Sequence, residues 1–157
     1  MSSALKVEHI NPFIGATIET FETMVHTKVV PGKIALLKGT ALQHDISGII
    51  GLSGGAKGTV SLSFPKLTAL KAVSAFMGEK VVMMDDSVRD AIGELANIVA
   101  GAAKKHLAEY KISISLPTVV IGDNHEVQGC KGVIPLSVPF ESPLGLFNLI
   151  VSFKSGD

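Results

Sequence analysis

An aspartate, a glutamate and an asparagine stand at positions 90, 94 and 97 of the run DDSVRDAIGELANIVAGAAKKHLAEY (85–110), with a glycine at 101. Steps of four, three and four residues return to one side of an α-helix, so Asp90, Glu94, Asn97 and Gly101 share a face. Two carboxylates and a carboxamide could serve as an acid/base pair or as a contact surface for another molecule. The first use is poorly supported, because one turn of exposed helix supplies neither the burial nor the contrasting environments that separate two carboxyl pKa values. A solvated helix face explains the same spacing. Against it stand Gly93 and Gly101, each costing about 1 kcal/mol relative to alanine inside a helix, and Ala96 and Ala100, which keep the surroundings low. A bare surface of this kind suits close approach by another protein, although packing of a neighbouring helix would equally explain Gly101. Spacing alone leaves the wet face and the site both open.

The other side of the same helix carries Val88, Ile92, Leu95, Ile98, Val99 and Ala102 and is the expected core face. Earlier in the chain, residues 1–8 read as a tail or a short strand at Leu5–Glu8. Asn11 reads as an N-cap and Pro12 as a first helical residue, opening a helix that runs to about His26 with Ile14, Ile18, Phe21 and Val25 at helical spacing. Three short runs rich in β-forming residues follow, Lys33–Gly39, Asp45–Leu52 and Lys57–Phe64, and suggest an antiparallel meander with a hairpin at Ser53-Gly54-Gly55. Pro65 opens a helix to Met77, its apolar side made of Leu67, Leu70, Val73 and Met77, and Gly78 stops it. After Tyr110 come Lys111–Ile121, Gly129–Phe140 and Leu144–Phe153, turned at Gly122-Asp123-Asn124 and Glu141-Ser142-Pro143, with prolines 117, 135 and 139 marking edges or bulges. Helix, three strands, helix, helix, three strands is a unit used twice. It implies an α+β fold, an antiparallel sheet packed by long helices, in one domain over 1–157.

Composition narrows the partners. Fourteen basic residues balance 14 acidic ones, tryptophan is absent and tyrosine occurs once, so neither nucleic acid nor an anionic membrane is an expected partner. No signal-like start and no apolar run of about 18 residues is present, which reads as a cytoplasmic chain. Cys130 is the sole cysteine, set in Gly-Cys-Lys-Gly with nothing to activate it. The glycines of GLSGGAKGT (51–59) do not make a phosphate loop, because Ala56 and Gly58 flank Lys57 and a strand follows where a helix should begin. Histidines 9, 26, 44, 106 and 125 show no ligand spacing, so no metal site is expected, and His106 falls on the apolar side of the long helix. No nucleophile-elbow sequence supports a triad through Ser53 or Ser142.

The run GELANIVAGAAK, with Asp90 four places before Glu94, resembles the D/S-x3-E-x2-N helix of the CheC, CheX and FliY chemotaxis phosphatases. INPFIGATIETFETMV with the later PGK is similar to the first helix of CheX-type chains, and the element order fits along nearly the whole length. The resemblance implies a CheC-like fold and hydrolysis of the aspartyl phosphate of a CheY-like response regulator. In that reading Asn97 positions the attacking water, Glu94 docks to the partner's active-site lysine, and Asp90, Gly93 and Gly101 are partner contacts. Asp90 is the weakest of these, equally suited to pairing with a basic residue on its own helix. The chain would need no cofactor of its own, the magnesium ion belonging to the partner. It resembles the CheX pattern of one motif per chain, which pairs into homodimers; Glu8 and Asn11 repeat the Glu-x2-Asn spacing but fall at the expected helix entrance. The alternative is a CheC-like module that binds a receiver domain or a motor-like assembly without catalysis.

Overall fold

The computed structural model describes residues 7–37, 41–42, 44–122, 126–127 and 133–155. His125, Cys130, most of the turn expected at 122–124 and the start of the strand expected from Gly129 lie outside them. Three helices, α1 (Val7–Met24), α2 (Lys66–Met77) and α3 (Asp86–Lys104), accompany strands β1 (Val30–Pro31), β2 (Ala35–Leu36), β3 (Ala41–Leu42), β4 (Ile46–Ser53), β5 (Ala56–Phe64), β6 (Ser113–Ile114), β7 (Thr118–Ile121), β8 (Glu126–Val127), β9 (Leu136–Glu141) and β10 (Phe147–Ser155). The main sheet is antiparallel in the order β1-β9-β10-β5-β4-β6, with β2 also on β9 and β7 also on β4, while β3 and β8 pair separately. This is the α+β architecture expected.

Local signals hold best in the middle of the chain. β4 and β5 form the expected hairpin, with Ile46 opposite Phe64 and Leu52 opposite Gly58. Its tip needs glycine twice: Gly54 has φ +110°, and a Cβ on Gly55 would lie 2.2 Å from the carbonyl oxygen of Tyr110, to which the Gly55 N–H donates. Gly78, at φ 73°, ends α2 by donating to Ser74. The apolar side of α2 differs from expectation: Leu70 and Val73 are buried with Ala69 and Ala72, but Leu67 and Met77 face outward.

The N-terminal reading is corrected. α1 begins at Val7, so Asn11 is not a cap, Pro12 lies inside the helix, and no strand runs through Glu8. Tertiary contacts outweigh the proline: Ile10 is fully buried, and the His9 ring meets Phe153 at 5.4 Å and bonds the Tyr110 hydroxyl at 2.9 Å. Nor do the first three expected strands form a meander. The segment 30–36 crosses to the far edge as two pieces on β9. Pro139 sits between them: its carbonyl accepts from Gly32, so its missing N–H faces the interruption between β1 and β2. At the opposite edge the single strand expected over 111–121 is split into β6 and β7 by Ser115–Pro117.

Helices α1 and α3 share one face of the sheet. Phe147 on β10 stacks on Phe21 of α1 at 4.6 Å and on Phe64 and Phe140 at 5.1 Å each, anchoring that core. α3 lies very close to β4: a Cβ on Gly48 would stand 2.9 Å from the Ile92 carbonyl oxygen and 3.0 Å from the Ala96 Cβ. The expected single helix over 85–110 tightens after Lys104 into a 3-10 helix, Lys105–Tyr110, kinked at Leu107. His106 is exposed to solvent and does not lie on a buried side, in line with Ile98 and Ala102, eight and four residues earlier, which are only half-buried.

Candidate functional site

α3 starts on a side-chain cap. The Asp85 carboxylate accepts the Val88 N–H at 3.2 Å and the Ser87 hydroxyl at 2.6 Å, and these bonds, the Ser87 one foremost, hold its pKa below the ordinary carboxylate value. From that start the helix buries more of its circumference than periodicity suggested. Val88, Ala91, Ile92, Gly93, Leu95, Ala96, Val99, Ala100 and Ala103 are all covered, whereas Ile98 and Ala102 are only half-buried. Ala96 and Ala100 therefore belong to the interior and let α3 approach its neighbours; they do not lower an outer surface.

What remains outside is a ridge. Asp90 and Glu94 are exposed, and Asn97 and Gly101 are half-buried further along the same side. No hydrogen bond or ion pair joins the Glu94 or Asn97 side chain to another described residue. Among the described residues a Cβ on Gly101 would meet no heavy atom within 4 Å beyond its own helix backbone, so none of the described helices packs against that glycine. Gly93 is different. It is buried, and a Cβ there would lie 3.2 Å from Val119 and 3.4 Å from Pro117, so its missing side chain admits the start of β7 rather than an outside partner.

The ridge has a hollow on each side. One, of about 250 Å³, is lined by Arg89, Asp90, Gly93, Glu94, Pro117 and Val119; the other, of about 380 Å³, by Phe76, Met77, Ser87, Asp90, Ala91 and Glu94. Sequence reasoning missed Phe76, Met77, Pro117 and Val119, which arrive from α2 and from the chain entering β7. No spacing relates them to Glu94; the interruption of a strand-like run by Pro117 was the one available signal.

The other candidates take structural roles. Ser142 donates to the Gly145 carbonyl and accepts from the Leu144 N–H within a turn. His44 bonds Asn148, and His9 bonds Tyr110. Among the described residues no group of three His, Cys, Asp or Glu side chains could hold a metal, and no described helix is long and apolar enough to cross a membrane.

Comparison with known proteins converges on one group. The family described as chemotaxis phosphatase CheX matches residues 46–141, a span that contains the ridge. The chain is 36% identical over 153 residues to the CheY-P phosphatase CheX of Thermotoga maritima, covering 94% of this chain and 96% of that one. A crystal structure of a CheC-like superfamily protein from Shewanella sp. PV-4 superposes with a TM-score of 0.87 at 33% identity, over 95% of this chain and 99% of that one. The CheX-CheY-BeF3-Mg complex structure from Borrelia burgdorferi shares the fold, with a TM-score of 0.78 at 24% identity over 94% and 99% of the respective chains. With family, relative and fold in agreement over most of its length, the chain belongs to the chemotaxis phosphatase CheX family.

Proposed function

We propose that this protein dephosphorylates a CheY-like response regulator by presenting the Glu94/Asn97 ridge to its phosphorylated aspartate. The observation that carries the reading is that these two side chains stand one turn apart on the outer side of a helix whose opposite side is buried, with no side-chain hydrogen bond or ion pair to another described residue. Asn97 both donates and accepts without acting as a base near neutral pH, which suits it to holding a water in line with phosphorus. Attack by that water forms the new P–O bond as the bond to the aspartyl oxygen breaks, releasing phosphate and the free carboxylate. Glu94 pairs with the partner's active-site lysine and sets the register. Magnesium and the phosphorylated aspartate come with the partner, and this chain's own residues supply positioning. Half-burial of Asn97 limits its rotamers and so favours one water position. In the same reading the protein is cytoplasmic and works as a homodimer, and Asp90 is a peripheral contact.

Addition of the purified chain to a phosphorylated receiver domain tests this directly. Faster phosphate release is expected, with Asn97→Ala losing about 100-fold in rate at saturating partner while keeping its thermal stability. Glu94→Ala should chiefly raise KM. Full activity of Asn97→Ala overturns the water-positioning role, and binding without acceleration by the wild-type chain identifies a non-catalytic binding module instead.

A further inference from the structure

The ridge does not stand in a polar field. Met77, at the C-terminal end of α2, is 41% exposed and lines the same hollow as Asp90 and Glu94. On the other flank Leu116 is 88% exposed, immediately before Pro117, which lines the opposite hollow with Glu94. Leu116 is also firmly presented. The Ser115 hydroxyl donates to the Leu116 carbonyl at 2.8 Å and accepts the Gly51 N–H at 2.8 Å, and the Ser115 N–H donates to Gly51. A large apolar side chain held in water by a pinned backbone calls for a cover, and its neighbourhood says which one. Met77 lines a hollow that Glu94 also lines, and Leu116 is joined to Pro117, which lines the other, so a protein surface that engages Glu94 comes within reach of both.

We propose that Met77 and Leu116 are the two apolar flanks of the docking surface, closing over apolar side chains that border the receiver's phosphorylation pocket. This rests on the dephosphorylation reading above and extends it from chemistry to partner choice. Closure of the flanks excludes water from the pair between Glu94 and the partner's lysine, so the pair is less hydrated and less screened by salt. The selected partner is a receiver with apolar residues on both sides of its acidic pocket. A receiver bearing charged residues there would leave those charges desolvated and unpaired, and would be rejected.

The test compares wild type, Met77→Gln, Leu116→Gln, the double variant, and the conservative Met77→Leu and Leu116→Met. Steady-state phosphate release is measured over a range of receiver concentration, with direct binding to the beryllofluoride-activated receiver. The double glutamine variant should raise KM and Kd about tenfold, leave kcat within about twofold, and show a steeper loss of affinity with salt; the conservative variants should behave as wild type. Val30→Gln, an exposed apolar position on β1 at the far sheet edge, serves as the control and should change neither constant. Unchanged KM and Kd in the double variant, or a fall in kcat with KM retained, overturns the flanks while leaving the phosphatase reading intact. A wild-type chain that neither accelerates release nor binds overturns both.

Discussion

Replacing Gly101 by alanine separates stability from recognition at one position. A Cβ there would meet no heavy atom of the described residues within 4 Å beyond its own helix backbone, so none of them opposes the change by packing. Alanine is favoured over glycine inside a helix by about 0.5–1 kcal/mol, because the unfolded chain loses conformational freedom. For a chain of 157 residues, each 1 kcal/mol moves Tm by about 2–4 °C, so Gly101→Ala should unfold about 1–4 °C higher. If the partner's backbone closes on this bare patch, the same methyl group overfills the interface, and the usual overpacking cost corresponds to an affinity about five- to a hundredfold weaker. Circular dichroism melting gives the first quantity, and phosphate release against receiver concentration the second. A higher Tm with a raised KM supports both halves of the reasoning. A lower Tm refutes the open surroundings of Gly101. A higher Tm with unchanged KM shows that Gly101 is not a docking contact.

Other perturbations probe the scaffold beneath the ridge. Gly48→Ala drives a Cβ against the Ile92 carbonyl and Ala96, forcing α3 away from β4, and should cost about 1–3 kcal/mol in urea unfolding; an unaltered midpoint would show that α3 is not seated so closely. Phe147→Ala removes the ring on which Phe21, Phe64 and Phe140 stack and should cost about 3–5 kcal/mol, whereas a loss below about 1 kcal/mol would contradict its place at the centre of the core. The Asp85 cap is sensitive to acid. Its folded-state pKa is lowered, so its stabilisation is complete above the unfolded-state value and disappears as pH falls through the folded value. Amide protection at Val88 should therefore fall in acid, and Asp85→Asn should flatten that dependence; equal pH dependence in the two proteins would exclude the cap as its source.

The elements that read correctly from sequence are those closed by short-range chemistry. Gly78 ends α2 and glycines turn the β4–β5 hairpin, each through backbone requirements met within a few residues. The polar series Asp90, Glu94, Asn97 and Gly101 was legible for the same reason, since helical periodicity places those residues on one side whatever surrounds the helix. Periodicity does not say how many other sides are covered. That Gly93, Ala96 and Ala100 lie inside depends on β7 and β4 being brought against α3, and the open space at Gly101 depends on no element arriving there. Likewise, the continuation of α1 through Pro12 was decided by burial of Ile10 and the contacts of His9 with Phe153 and Tyr110, partners about 100 residues or more away. The sequence by itself determined which polar residues of α3 share one side of the helix. Only the tertiary structure decided that Met77 and Pro117, distant in the chain and unrelated by any period, stand on the two flanks of that ridge.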